Sequence, residues 1–228
     1  MRAHALIVAE ADPAGRTRLV DVRGEVPLLP RRTGSRADGG AVVHLVGGAA
    51  GPLGGDELTF HLEVGEGASL EVRSVAATIV YPGNGTSRLA VTANVATGGT
   101  LHWLPEPLIA TAGCVHIGTS TVDIADGGRV RWRDELVCGR HGEDPGDARL
   151  GLSVRYGGKP LLEHEFAVGP SAPGWSAAAV LGGAGAIGSL LEVDPDLKPE
   201  DPRVLGPASA VLPLAGPGRL TLSLLQQA

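Results

Sequence analysis

A glycine-centred turn followed at once by alternating residues recurs four times in this chain, and that recurrence constrains the fold more than any other feature. The instances are Gly67-Ala68-Ser69-Leu70-Glu71-Val72, Gly99-Thr100-Leu101-His102-Trp103, Gly128-Arg129-Val130-Arg131-Trp132 and Gly158-Lys159-Pro160-Leu161-Leu162-Glu163. The turn glycines Gly67, Gly99, Gly128 and Gly158 stand 32, 29 and 30 residues apart. Before each turn lies another alternating run, such as Leu58, Phe60, Leu62 and Val64, or Leu150, Leu152, Val154 and Tyr156. Period-2 alternation gives every arm one apolar side and one mixed side. One pair of arms cannot bury its apolar side alone, so the units must stack on one another. The reading is all-β: stacked antiparallel hairpins in a β-helix-like, two-layer architecture with little helix.

Composition supports one large β domain spanning residues 1–228. A chain of this length buries roughly 70% of the surface its unfolded form exposes. Hydrophobic residues make up 43% and aromatics only 3%, so the core is built from Val, Leu, Ile and Ala. With 35 Gly and 17 Pro, turns are frequent and long helices are disfavoured. A net charge of -6 argues against general nucleic-acid binding, which needs concentrated Lys and Arg. Cys114 and Cys138 form no closely spaced pair and read as small buried hydrophobes. Met1-Arg2-Ala3-His4 lacks the pattern of a secretory signal, and Pro170 to Leu191 is too weakly apolar for a membrane span, so a cytoplasmic location is expected.

Several motifs bear on chemistry. Gly183-Ala184-Gly185-Ala186-Ile187-Gly188 fits a dinucleotide-binding pattern, but no series of strands and crossover helices surrounds it. The seven histidines form no close ligand set; His61, His102 and His116 alternate with apolar neighbours and are assigned to the mixed face. Arg131 and Arg133 share a strand side and invite a bidentate partner. Asp134-Glu135 alone is weak grounds for acid-base catalysis, and no Ser, His and Asp spacing points to an activated nucleophile. In Trp103-Leu104-Pro105-Glu106-Pro107-Leu108-Ile109 the two prolines remove backbone donors from an apolar run, placing it at an edge or bulge. Such an edge is covered either by internal packing or by a partner protein.

Taken in order, certain stretches resemble the UreD (UreH) family of urease accessory proteins. They are Gly54-Gly55-Asp56 with Leu58, Ala76-Ala77-Thr78-Ile79-Val80-Tyr81, Leu101 to Pro107, and Asp134-Glu135-Leu136-Val137-Cys138-Gly139-Arg140 with Gly142-Glu143. The resemblance implies a non-enzymatic maturation factor that binds UreF, through it the GTPase UreG, and apo-urease. It also implies nickel delivery, with a water-filled passage through the subunit as the route and nickel handled only transiently. By motif position, Asp56, Thr78, Glu135 and Glu165 would touch the metal along that route. Trp103, Pro105, Pro107 and Arg140 would face partners, and Tyr81 with the four turn glycines would hold the frame. Two departures accompany it: Ile79 replaces a lysine common in the family, and the chain ends at Ala228, short of a helical tail many relatives carry. The competing readings are a β-rich metal-dependent enzyme and a generic interaction module.

Overall fold

The computed structural model describes residues 1–225, and every regular element among them is a β-strand. The chain opens with β1 (Arg2–Ala11), β2 (Thr17–Gly24), β3 (Leu28–Ser35) and β4 (Ala41–Gly47). Asp12 shapes the first turn, its carboxylate accepting hydrogen bonds from the backbone of Ala14 and Arg16 at 2.9 Å each. The repeats follow as β5 (Glu57–Val64), β6 (Ser69–Ser74) and β7 (Thr78–Val80), then β8 (Ser87–Val95), β9 (Thr100–Leu104) and β10 (Leu108–Ala110). After them come β11 (Val115–Ile124), β12 (Arg129–Cys138), β13 (Asp147–Tyr156) and β14 (Lys159–Val168). The chain closes with β15 (Ala186–Val193), β16 (Arg203–Gly206), β17 (Ser209–Pro213) and β18 (Gly218–Leu225). The glycine-rich run at Gly183 leads directly into strand β15. No helix among the described residues is long and apolar enough to cross a membrane.

Two sheets form the layers. One has seven strands in the order β14-β13-β11-β8-β5-β1-β2; the other follows β16-β17-β18-β15-β12-β9-β6-β4-β3, with β7 and β10 attached beside β12. Within this stacked, two-layer plan the pairing differs from a set of hairpins. β5, β8, β11 and β13 pair parallel in the first sheet, and β4, β6, β9 and β12 pair parallel in the second. The arms on either side of the first three turns therefore lie in different sheets, and each turn is a corner. Alternation fixes which side of a strand is apolar but not which neighbour takes its hydrogen bonds.

The corners stack as one column. Ala68, Gly99 and Gly128 each donate to the carbonyl three residues earlier, at 3.1, 2.9 and 2.9 Å. Ala96 then donates to Val64 and Ala125 to Val95, both at 2.8 Å. The left-handed backbone falls on Gly67, Gly98 and Gly127, at φ of 64°, 69° and 81°, where a side chain would be strained. Gly99 and Gly128 sit one step later in the corner, so the structural repeat is offset by one residue from the glycines that head the sequence repeat. Only the fourth turn is a hairpin: Gly157 and Gly158 join β13 to β14 antiparallel.

The inward sides meet in a continuous core that includes Ile7, Phe60, Leu62, Leu70, Val72, Leu101, Trp132 and Leu191. Its aromatics are concentrated at one level, with Trp103 stacked on Trp132 at 5.1 Å and Phe60 edge-on to Trp103 at 5.6 Å. Cys114 and Cys138 belong to a second cluster, and burial pushes both thiols up to about 11, which keeps them unreactive.

The Gly54-Gly55 motif has a packing reason. A Cβ on Gly54 would lie 2.6 Å from both the Gly83 carbonyl carbon and the Gly85 oxygen, so two backbones touch there. Gly54→Ala is expected to cost about 2 kcal/mol through overpacking, roughly 4–8 °C of Tm in a domain of this size. A thermal melt superimposable on the wild type would show that this approach is not tight.

Candidate functional site

The prolines create a break in the second sheet. β6 stops at Ser74 and resumes as β7 at Thr78; β9 stops at Leu104 and resumes as β10 at Leu108. Pro105 and Pro107 have no N–H to continue the ladder. β12 runs past unbroken, pairing with β9 as far as Trp132 and with β10 from Leu136. Arg133 serves the carbonyls left over: its Nη2 donates to Leu104 at 3.2 Å and to Pro105 at 2.6 Å. At the same level lies a cavity of about 440 Å³, lined from both sheets. Its walls are largely apolar, including Leu58, Phe60, Leu89, Val91 and Trp103.

Two ionisable groups stand in this wall. Asp134 follows Val130 and Trp132 on the inward side of β12 and accepts a hydrogen bond from Trp132 Nε1 at 3.0 Å. Burial pushes its carboxyl up to about 6, against the opposing pull of that indole N–H. Its remaining accessible surface fits its place in the cavity lining. His116, on the inward side of β11, is 1% exposed, and burial pushes its imidazole down to about 4.

Ser87 Oγ lies 2.9 Å from His116 Nδ1 and 3.2 Å from the Val115 carbonyl. When the hydroxyl donates to that carbonyl, Nδ1 carries the proton it shares with Ser87, and Nε2 is the lone-pair nitrogen. Nε2 is buried and without a partner.

The residues singled out from the sequence fare differently. Thr78, Tyr81, Pro105 and Glu135 line the cavity, and Pro107 accepts a hydrogen bond from the Thr78 backbone at 2.9 Å. Glu135 points to the side of β12 opposite Asp134, 4.0 Å from Arg133. Asp56 is elsewhere: its buried carboxylate holds the Met1 ammonium at 2.6 Å and caps the Leu53 N–H at 2.8 Å. Glu165 is exposed on edge strand β14 and pairs with Arg149 at 2.9 Å. Trp103 is 5% exposed and committed to the aromatic stack, so its side chain gives no partner surface. Arg140 is exposed after β12, forked onto Glu143 at 2.8 and 2.9 Å, and that pairing draws the Glu143 carboxyl down to about 2.

His116 is the group the sequence reading misplaces, and Asp134 the one it passes over. His61 and His102 do lie on outer faces, bonded to Thr92 at 2.8 Å and beside Arg36 at 2.8 Å. His116 instead shares the inward side with Gly118, Ser120, Val122 and Ile124, and the small residues among these obscure the apolar pattern. For Asp134 the signal was present: it continues Val130, Trp132 and Leu136 at period 2.

These features define a stacked β scaffold with a polar-tipped cavity between its sheets. Among the described residues, no three or more His, Cys, Asp and Glu groups come together to hold a metal. Residues 2–227 match the profile of the UreD urease accessory protein family. Over 234 residues the chain is 44% identical to urease accessory protein UreD of Streptomyces avermitilis, covering 100% of this chain and 92% of that one. It is 40% identical to the UreD protein of Parafrankia sp., covering 100% and 84%. It is 36% identical to UreD 1 of Saccharopolyspora erythraea, covering 100% and 90%. The chain belongs to the UreD family of urease accessory proteins, and membership supports an accessory role in urease maturation.

Proposed function

We propose that this chain is a non-catalytic, cytoplasmic scaffold that joins apo-urease to UreF and, through UreF, to UreG, and assists nickel insertion with nickel as passing cargo. The observation that carries this reading is the Asp134 carboxyl set in the wall of a largely apolar cavity beside a break in one sheet. A divalent cation entering such a space loses hydration and needs charge or lone pairs in return. Conduction also requires contacts weak enough to release the ion. One inward carboxylate, with Thr78 in the lining and Glu135 on the other side of β12, suits passage better than capture. The exposed Glu106 between Pro105 and Pro107 supplies polar surface at the break for partner proteins, and the exposed Arg140 turn adds more past the end of β12.

Co-expression with apo-urease, UreF and UreG is expected to give nickel-dependent ureolysis only when this chain is present. Equal activation without it would overturn the assignment. Asp134→Ala should lower the nickel content of the urease several-fold while the accessory complex still co-purifies. Full nickel loading in that variant would remove Asp134 from the route.

A further inference from the structure

We infer that His116 Nε2 is a nitrogen contact for a borderline transition-metal dication inside the cavity, and that it favours such ions over magnesium. The inference rests on the transit reading above and names the residue that would discriminate among cations.

Three observations converge on it. The imidazole is buried and lines the cavity, and its Nε2 has no partner. Ser87 Oγ holds Nδ1 at 2.9 Å and lies 3.2 Å from the Val115 carbonyl, and the tautomer protonated on Nδ1 puts the free lone pair on the nitrogen without a partner. Metal-bound histidines are oriented in this way, with the second ring nitrogen donating to a fixed acceptor. The third is the neighbourhood. Gly118, the next inward residue of β11, also lines the cavity, and a Cβ there would sit 3.6 Å from Nε2 and 2.5 Å from Leu150 Cδ2. Leu150 fills the space that side chain would take, so the surroundings of Nε2 are apolar.

The chemistry sets the class of ligand. Neutral imidazole suits nickel, copper and zinc, whereas magnesium prefers oxygen and keeps its waters. In the tautomer protonated on Nδ1, a metal binds Nε2 without displacing a proton. A single nitrogen, with no third group gathered around it among the described residues, gives a contact that releases its ion.

The test uses the full chain labelled with 15N-histidine, the His116 signals being assigned with His116→Asn. That variant keeps an amide near Nδ1 for Ser87 and removes Nε2. Substoichiometric Ni²⁺ is expected to broaden His116 Nε2, with reversal by Zn²⁺ but not by excess Mg²⁺. His164 is the internal control, since its Nε2 is also buried without a partner but does not line the cavity. A His116 signal untouched by Ni²⁺, equal broadening of His164, or reversal by Mg²⁺ overturns the inference. None of these outcomes bears on whether ureolysis requires the chain, so the two readings fail separately.

Discussion

Trp132→Ala is expected to cost about 3–5 kcal/mol in urea unfolding, as large aromatic truncations in cores do. That is a large part of the roughly 5–15 kcal/mol by which a domain is stable. Trp132 is fully buried and stacks on Trp103, which in turn packs against Phe60 from the opposite sheet. Truncation would leave a void at the level where the cavity already thins the packing. Trp132→Phe separates packing from polarity. It keeps a ring against Trp103 but withdraws the N–H from Asp134, and a hydrogen bond to a charged group is worth about 1.5–3 kcal/mol. Since that N–H lowers the Asp134 pKa, the Phe variant should titrate Asp134 above its present value of about 6, read by carboxyl 13C NMR. A Trp132→Ala loss below about 1 kcal/mol, the size of an ordinary substitution, would show that the stack does not hold the sheets together.

The layered β architecture was legible because alternation and turn spacing are local signals, and Leu58, Phe60, Leu62 and Val64 announce a one-sided strand unaided. Strand partnership was not legible. A corner and a hairpin share the same glycine chemistry, and the difference lies in whether the next arm bonds to its predecessor or to a strand about thirty residues away. The same limit applied to the site. Asp56 carries a motif but answers to the Met1 ammonium, a contact across 55 positions. Trp103 sits beside two prolines, which suggested an exposed edge, yet the break they cause is in the backbone and the indole turns inward. For His116 the pattern misleads because Gly118 and Ser120 make an inward face look mixed, and Gly118 is small where Leu150 packs against β11.

Asp134→Asn and His116→Asn are expected to tilt the pH profile of stability in opposite directions. His116 is held at about 4 when folded, against 6.5 ordinarily. Between those values the unfolded chain binds more protons, so stability present above 6.5 is lost as pH falls toward 4. At about 1.4 kcal/mol per unit the loss is about 3 kcal/mol. Asp134 is held at about 6 against 3.8, so the folded state binds the extra proton and stability grows as pH falls through 6 toward 3.8. That gain is also about 3 kcal/mol. The slopes of these two groups nearly cancel each other, so the wild-type profile is left to groups such as His102, His164 and Glu71, whose lowered pKa values make acid destabilising. Removing Asp134 exposes the His116 loss: the unfolding free energy of Asp134→Asn in urea should fall on acidification by about 3 kcal/mol more than that of the wild type. Removing His116 exposes the Asp134 gain, so His116→Asn should become more stable relative to the wild type at acid pH, and the double variant should run parallel to the wild type. Parallel profiles for Asp134→Asn and the wild type would mean that Asp134 meets water freely, and the cavity would then be an open groove rather than an interior.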